Sequence, residues 1–170
     1  MHDEVRRFLL SSTEVPWEMA SVVEVGSADW NGQARDICIG WRSWVGIDLA
    51  DTHGVDIVGD ACEVLPTLAP CDVVVSTEVL EHAANWRDII AAMCAALRMD
   101  GWLVLTCAGT GRPAHSADGA HRLKPDEHYA NVTLAEVRQA CAEHGVTMMR
   151  GEEGPPGDTR FIGLKVARHG

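Results

Sequence analysis

The run Val22-Val23-Glu24-Val25-Gly26-Ser27-Ala28-Asp29-Trp30-Asn31-Gly32, with Val45-Gly46-Ile47-Asp48 after it, constrains this chain more than any other feature. It reads as a buried strand, a turn of small residues, a helix start and a second strand that ends in a carboxylate. A doubly wound α/β sheet builds a nucleoside-binding crevice in this order. Gly26 supplies the point where backbone must approach a ligand closely. Asp48 lies 22 residues beyond it, placed to accept from both hydroxyls of a ribose.

The turn also carries information about charge. A dinucleotide site needs three glycines so that backbone amides can crowd a pyrophosphate. Here the corresponding positions hold Gly26, Ala28 and Asn31, and the acids Glu24 and Asp29 flank them. Carboxylates repel a pyrophosphate but attract an ammonium or a sulfonium. The turn therefore suits a cationic nucleoside, and S-adenosylmethionine is the expected ligand rather than NAD.

At 170 residues, 46% of them apolar, the chain is expected to form a single domain over 1–170 with a sizeable core. No run approaches the ~20 apolar residues of a membrane span, and Met1 to Leu10 lacks the apolar segment of a signal peptide. A cytoplasmic protein without a membrane partner is expected. A net charge of −11 with no basic cluster argues against nucleic acid as a partner. Cys38, Cys62, Cys71, Cys94, Cys107 and Cys141 form no Cys-x-x-Cys pair and read as reduced, mostly buried thiols.

Apolar strand runs alternate with helical patterns, which implies a mostly parallel sheet with helices on both faces. Strands are expected at Val22–Val25, Trp44–Ile47, Asp56–Val58, Asp72–Ser76 and Trp102–Cys107, then around Thr147–Arg150 and Arg160–Val166. Trp86–Leu97 repeats apolar residues at helical steps, with Asn85 as N-cap and Asp100-Gly101 as the turn that follows. Thr133 and Glu136 form a capping box for a second helix that Gly145 ends. Val5, Phe8 and Leu9 suggest a short helix within an N-terminal cap over 1–20. Residues 108–131 have no periodicity and contain Gly109, Gly111, Pro113, Gly119 and Pro125. So long a connection, leaving the fifth strand at its carboxyl end, is expected to be a substrate or lid loop.

Taken together, these strings resemble the class I S-adenosylmethionine-dependent methyltransferases of small-molecule type, over about two thirds of the chain. Val22 to Ser27 is similar to the family's first motif, Val45 to Asp48 to its ribose-binding strand end, and Gly59-Asp60-Ala61 to its adenine-contacting turn. Glu78-Val79-Leu80-Glu81-His82 is the most specific string and resembles methyltransferases of quinone and biotin synthesis. Leu97 to Leu105 resembles the passage into strand five. The family's Gly-x-Gly-x-Gly series reads Gly26, Ala28 and Trp30 here. The resemblance implies a Rossmann-like, three-layer, seven-stranded sheet that ends in an antiparallel strand pair. It also implies S-adenosyl-L-methionine as cofactor, with Glu24, Gly26, Ser27, Ala28, Asp48, Leu49, Asp60, Ala61, Thr77 and Glu78 bordering it.

Catalytic candidates are His82, one helical step beyond Glu78, and the loop residues His115, His121, His128 and Tyr129. Each also has an ordinary reading as a structural or solvated side chain. Intervening spacings of five and six residues among the loop histidines match no standard zinc pattern, so no metal is expected. Trp30, Trp41 and Trp44 read as packing residues around a first helix, with stacking on adenine or sulfonium as the other reading. The expected activity is methyl transfer to a small molecule, at a hydroxyl. The alternative is a catalytically inactive cofactor-binding module that acts through a partner protein. Fewer than 21 residues precede the first strand, so the acceptor side is open, closed by the 108–131 loop, or closed by a second subunit in a homo-oligomer.

Overall fold

The computed structural model describes residues 2–118, 120 and 122–167. Seven strands form one sheet: β1 (Ser21–Val25), β2 (Ser43–Asp48), β3 (Ile57–Val58), β4 (Cys71–Thr77), β5 (Leu97–Ala108), β6 (Val146–Gly154) and β7 (Asp158–Lys165). The spatial order is β3-β2-β1-β4-β5-β7-β6. β1 pairs in parallel with β2 on one side and β4 on the other. The chain reverses its winding direction there, and a crevice opens at the carboxyl ends of these strands. β7 runs antiparallel to both β5 and β6, the expected terminal pair.

The helices are distributed unevenly. α2 (Ala61–Val64), α3 (Trp86–Ala96) and α4 (Leu134–Glu143) cover one face. Ile90, Met93 and Cys94 of α3, with Val137 and Cys141 of α4, pack there on Val74, Leu103, Leu105 and Phe161. The Thr133–Glu136 capping box forms, and Gly145 turns with a left-handed φ of 78°. Asn85 precedes α3 without capping it through its side chain. The expected turn at Asp100-Gly101 is a kink inside β5, where Asp100 has φ 60° between two stretches paired with β4.

The opposite face carries one α-helix among the described residues, so helices flank both sides as expected but unequally. α1 (Asp3–Leu10) lies there and buries Val5, Phe8 and Leu9 as expected. The expected helix after Gly26 does not form. Residues 26–42 contain one 3₁₀ turn, Ala34–Asp36, and β2 connects to β3 with no helix. Tryptophans supply the missing bulk. Trp17 stacks on Trp44 at 6.5 Å and Trp41 meets it edge-on at 5.8 Å. These rings cover Val22, Val73, Val75 and Val104 of the sheet together with Ile37 and Ala34.

Glu24 is built into this packing. Its side chain is buried, with Oε2 accepting from the Trp44 indole at 3.0 Å and Oε1 from the Ala34 amide at 3.2 Å. Burial pushes its carboxyl up to about 7, and the two hydrogen bonds only partly oppose that.

Two stability outcomes follow. Trp44→Ala removes the central ring and one of Glu24's two donors, so it should destabilise the fold by roughly 3–5 kcal/mol, read as a lower urea midpoint. Glu24 binds its proton more tightly folded, near 7, than unfolded, near 4.5, so its contribution to stability falls as pH rises through that interval. The loss is on the order of 3 kcal/mol. Glu24→Gln should flatten the pH dependence of unfolding between those values, and an unchanged slope would refute the assignment.

Candidate functional site

A cavity of about 690 Å³ opens at the carboxyl ends of β1, β2 and β4. Glu24, Gly26, Ser27, Ala28, Asp48, Leu49, Asp60, Ala61, Thr77 and Glu78 all border it. Of the proposed catalytic residues, His82 and His115 reach its wall. Tyr129 stands behind them, His128 is exposed and does not line the cavity, and His121 lies outside the described residues.

One end is shaped by backbone. Gly26 leaves β1 with φ 81°, and an added Cβ there would collide with Val79. The amides of Gly26 and Ser27 both donate to the Ile47 carbonyl, at 2.9 and 3.2 Å. Asp48 is oriented by two amides, with Oδ2 accepting from Ala28 at 3.1 Å and Oδ1 from Ala50 at 2.9 Å. Asp60 caps α2 by accepting from the Cys62 amide at 2.8 Å. In place of a helix, side chains tie the 26–33 turn to the loop after β2. The buried Gln33 donates to the carbonyls of Ser27 and His53, at 3.4 and 3.3 Å, and the Asp29 amide donates to His53 at 3.1 Å.

The other end carries a charge network that sequence reasoning missed. Glu78 follows β4 in a left-handed conformation, φ 57°, with Oε1 accepting from the Thr106 hydroxyl at 3.0 Å. Its Oε2 lies 3.4 Å from His2 Nε2 and 3.6 Å from Arg112. The fully buried Asp158 pairs with Arg112, with Arg160 at 3.3 Å and with His2 at 3.1 Å. Hydrogen bonds to Asp158 and then Glu78 push His2 up to about 9. His2 and Arg112 both line the cavity, yet they stand 110 residues apart and no local spacing joins them.

Beside this network, three rings form a triangle. His82 meets His115 at 5.1 Å and Tyr129 at 5.5 Å, and His115 meets Tyr129 at 5.1 Å, all edge-on. Burial, then the neighbouring His115, pushes His82 down to about 4, so its imidazole is neutral at physiological pH. Burial raises the Tyr129 hydroxyl to about 12, and that hydroxyl donates to the Pro113 carbonyl at 3.2 Å. Beneath the rings sits Glu81, fully buried, its Oε1 accepting from the Ala108 amide at 3.1 Å. Burial and then the charge of Glu78 hold its carboxyl well above the usual range.

A crevice at the switch point of a parallel sheet, with a glycine turn, a strand-end aspartate and acids along its walls, fits a positively charged nucleoside. No helix among the described residues is long and apolar enough to cross a membrane. No curated protein sequence matches the chain. Solved structures share its fold at low identity. The Burkholderia thailandensis 1,6-didemethyltoxoflavin-N1-methyltransferase, solved with its acceptor and S-adenosylhomocysteine, superposes with TM-score 0.70 at 16% identity, over 96% of this chain and 77% of that one. The magnesium protoporphyrin IX methyltransferase of Synechocystis PCC 6803, solved with S-adenosylhomocysteine, gives 0.67 at 14%, over 96% and 81%. A Haloferax volcanii putative methyltransferase in complex with its activator Trm112 gives 0.67 at 17%, over 98% and 92%. A family model described as a methyltransferase domain matches residues 14–150. The chain belongs to this methyltransferase domain family, whose methyl donor is S-adenosylmethionine.

Proposed function

We propose that the protein methylates a hydroxyl group of a small molecule, with S-adenosylmethionine held at the β1–β2 end of the cavity and the acceptor at the His82–His115 end. The observation that carries this reading is the cavity itself. One continuous space of about 690 Å³ runs from Asp48 to His115, in the range of a ligand-sized pocket. Asp48 is preoriented by the Ala28 and Ala50 amides to accept from a ribose diol. Asp60 and Ala61 stand where the adenine ring would lie, and the Gly26–Ala28 backbone gives close approach for the amino-acid portion. Acidic Glu24 and Glu78 complement ammonium and sulfonium charge.

When bound, the donor supplies an already electrophilic methyl group, so the chain must position a nucleophile and keep water out. The loop from Arg112 to Ala117 walls the acceptor end. The neutral His82 ring presents a nitrogen lone pair there, with His115 on the same wall, which suits a hydroxyl acceptor whose proton must be taken as transfer proceeds. An amine acceptor, nucleophilic through its own lone pair once unprotonated, would need less help from them.

Calorimetry should show S-adenosylmethionine and S-adenosylhomocysteine binding at one site and NAD not binding. Tight NAD binding alone would overturn the reading. Asp48→Ala should weaken the donor by roughly ten- to a hundredfold while far-UV circular dichroism stays unchanged, the cost of losing charge-assisted hydrogen bonds to the ribose. Against a panel of phenols and alcohols, His82→Ala and His115→Ala should each lower kcat by about two orders of magnitude. A panel methylated only at amines would replace the hydroxyl assignment. Donor binding without transfer to any acceptor would favour the inactive binding module.

A further inference from the structure

We propose that Glu81, His82 and His115 form a binding site for one divalent transition-metal cation at the acceptor end of the cavity. One ligand atom from each converges, all within 4.8 Å of one another. Two of the three groups carry buried polar atoms with no hydrogen-bond partner, Glu81 Oε2 and His82 Nδ1. A buried carboxylate oxygen and a buried ring nitrogen that face no donor are costly unless something electropositive joins them. Glu81 makes no ion pair among the described residues.

The surroundings orient the ligand groups, and Glu81 would release its proton as the ion binds. The Ala108 amide fixes Glu81 through Oε1 at 3.1 Å. His115 Nδ1 donates to the Pro113 carbonyl at 3.1 Å, which leaves Nε2 with its lone pair. Tyr129 packs edge-on against both imidazoles and is itself tethered to Pro113. Small rotations would close the ligand atoms to the ~3.3 Å separations of a site with bonds near 2.0–2.1 Å.

Two imidazoles and one carboxylate favour zinc, manganese, iron(II) or cobalt over magnesium or calcium, which prefer all-oxygen shells. Three protein ligands leave at least one position open, and His82 and His115 place it toward the cavity. There an acceptor hydroxyl would complete the shell; with the ion bound, the two imidazoles coordinate instead of taking the proton, and the ion makes that proton more acidic. This placement rests on the methyltransferase reading, although the ion site itself does not. The spacing of histidines within the loop predicts no metal because Glu81 and His82 come from a different loop, the one after β4. A second cluster, His2 with Glu78 and Asp158, also converges, but Arg112 and Arg160 already balance its acids. It carries no ion in this proposal.

The test uses the full chain after treatment with a chelator and dialysis. Zn2+ and Co2+ are titrated in separate calorimetric runs, and the Co2+ complex is also followed by its visible ligand-field bands. Wild type should take up one equivalent, with bands of a four- or five-coordinate mixed nitrogen–oxygen shell. His115→Ala should weaken binding on the order of 100-fold. Glu81→Gln should do the same, and if that buried variant fails to fold, His115→Ala decides. His144→Ala, at the exposed end of α4 and outside the cavity, should match wild type. No uptake by wild type, or equal affinity in His115→Ala, overturns the proposal. S-adenosylmethionine is titrated into wild type in parallel. Ion binding without donor binding would sink the methyltransferase reading and leave the metal site standing, and donor binding without ion binding would do the reverse.

Discussion

Backbone pairing of β1 with β2 on one side and β4 on the other sets the rest of the molecule. It places three carboxyl strand ends side by side, and each contributes a different chemical element. β1 ends in a glycine turn that brings main chain to a ligand. β2 ends in an aspartate locked by two amides. β4 ends in Thr77 and a left-handed Glu78, from which the chain dips through Leu80 to His82 before α3 begins. A cavity with a polar nucleoside end and an imidazole end is what this order produces.

Maintaining that sheet with so few helices requires compensation. α2, α3 and α4 hold one face in the usual way, by stripes of Ile, Met, Val and Cys. On the other face α1 and stacked tryptophans exclude water from the central valines. Indole rings bury much area for little chain length, and their N–H groups must be satisfied. Trp44 meets that demand with Glu24, so a residue at the first motif's acidic position joins the core of one face to the cavity floor. Trp17 uses the buried Ser12 hydroxyl, at 3.1 Å.

Where local pattern carried the information, the sequence was readable. The β-branched strands, the Thr133–Glu136 box and the apolar stripe of α3 stand where periodicity and spacing put them, and the residues that the resemblance pointed to line one cavity. Three features were not readable, for distinct reasons. The helix after Gly26 was inferred from a pattern that Gly32, the Asp29 turn and the Gln33 bridges override with loop contacts. The His2–Asp158–Arg112 network joins residues far apart in sequence, so no window contains it. Glu81 stood inside a recognised string, but its burial beneath two imidazoles from separate loops exists only in three dimensions.

The side-chain bridges that replace a helix at the donor end have a dynamic consequence. A helix closes its amides in a cooperative ladder, whereas the 26–33 segment relies on Gln33, Asp29 and one strand-end carbonyl. Such a segment opens locally at much lower cost than the sheet beneath it. Its amides will therefore exchange with solvent deuterium far sooner than those of β1, which leaves the rim of the cavity the part of this face most readily reshaped.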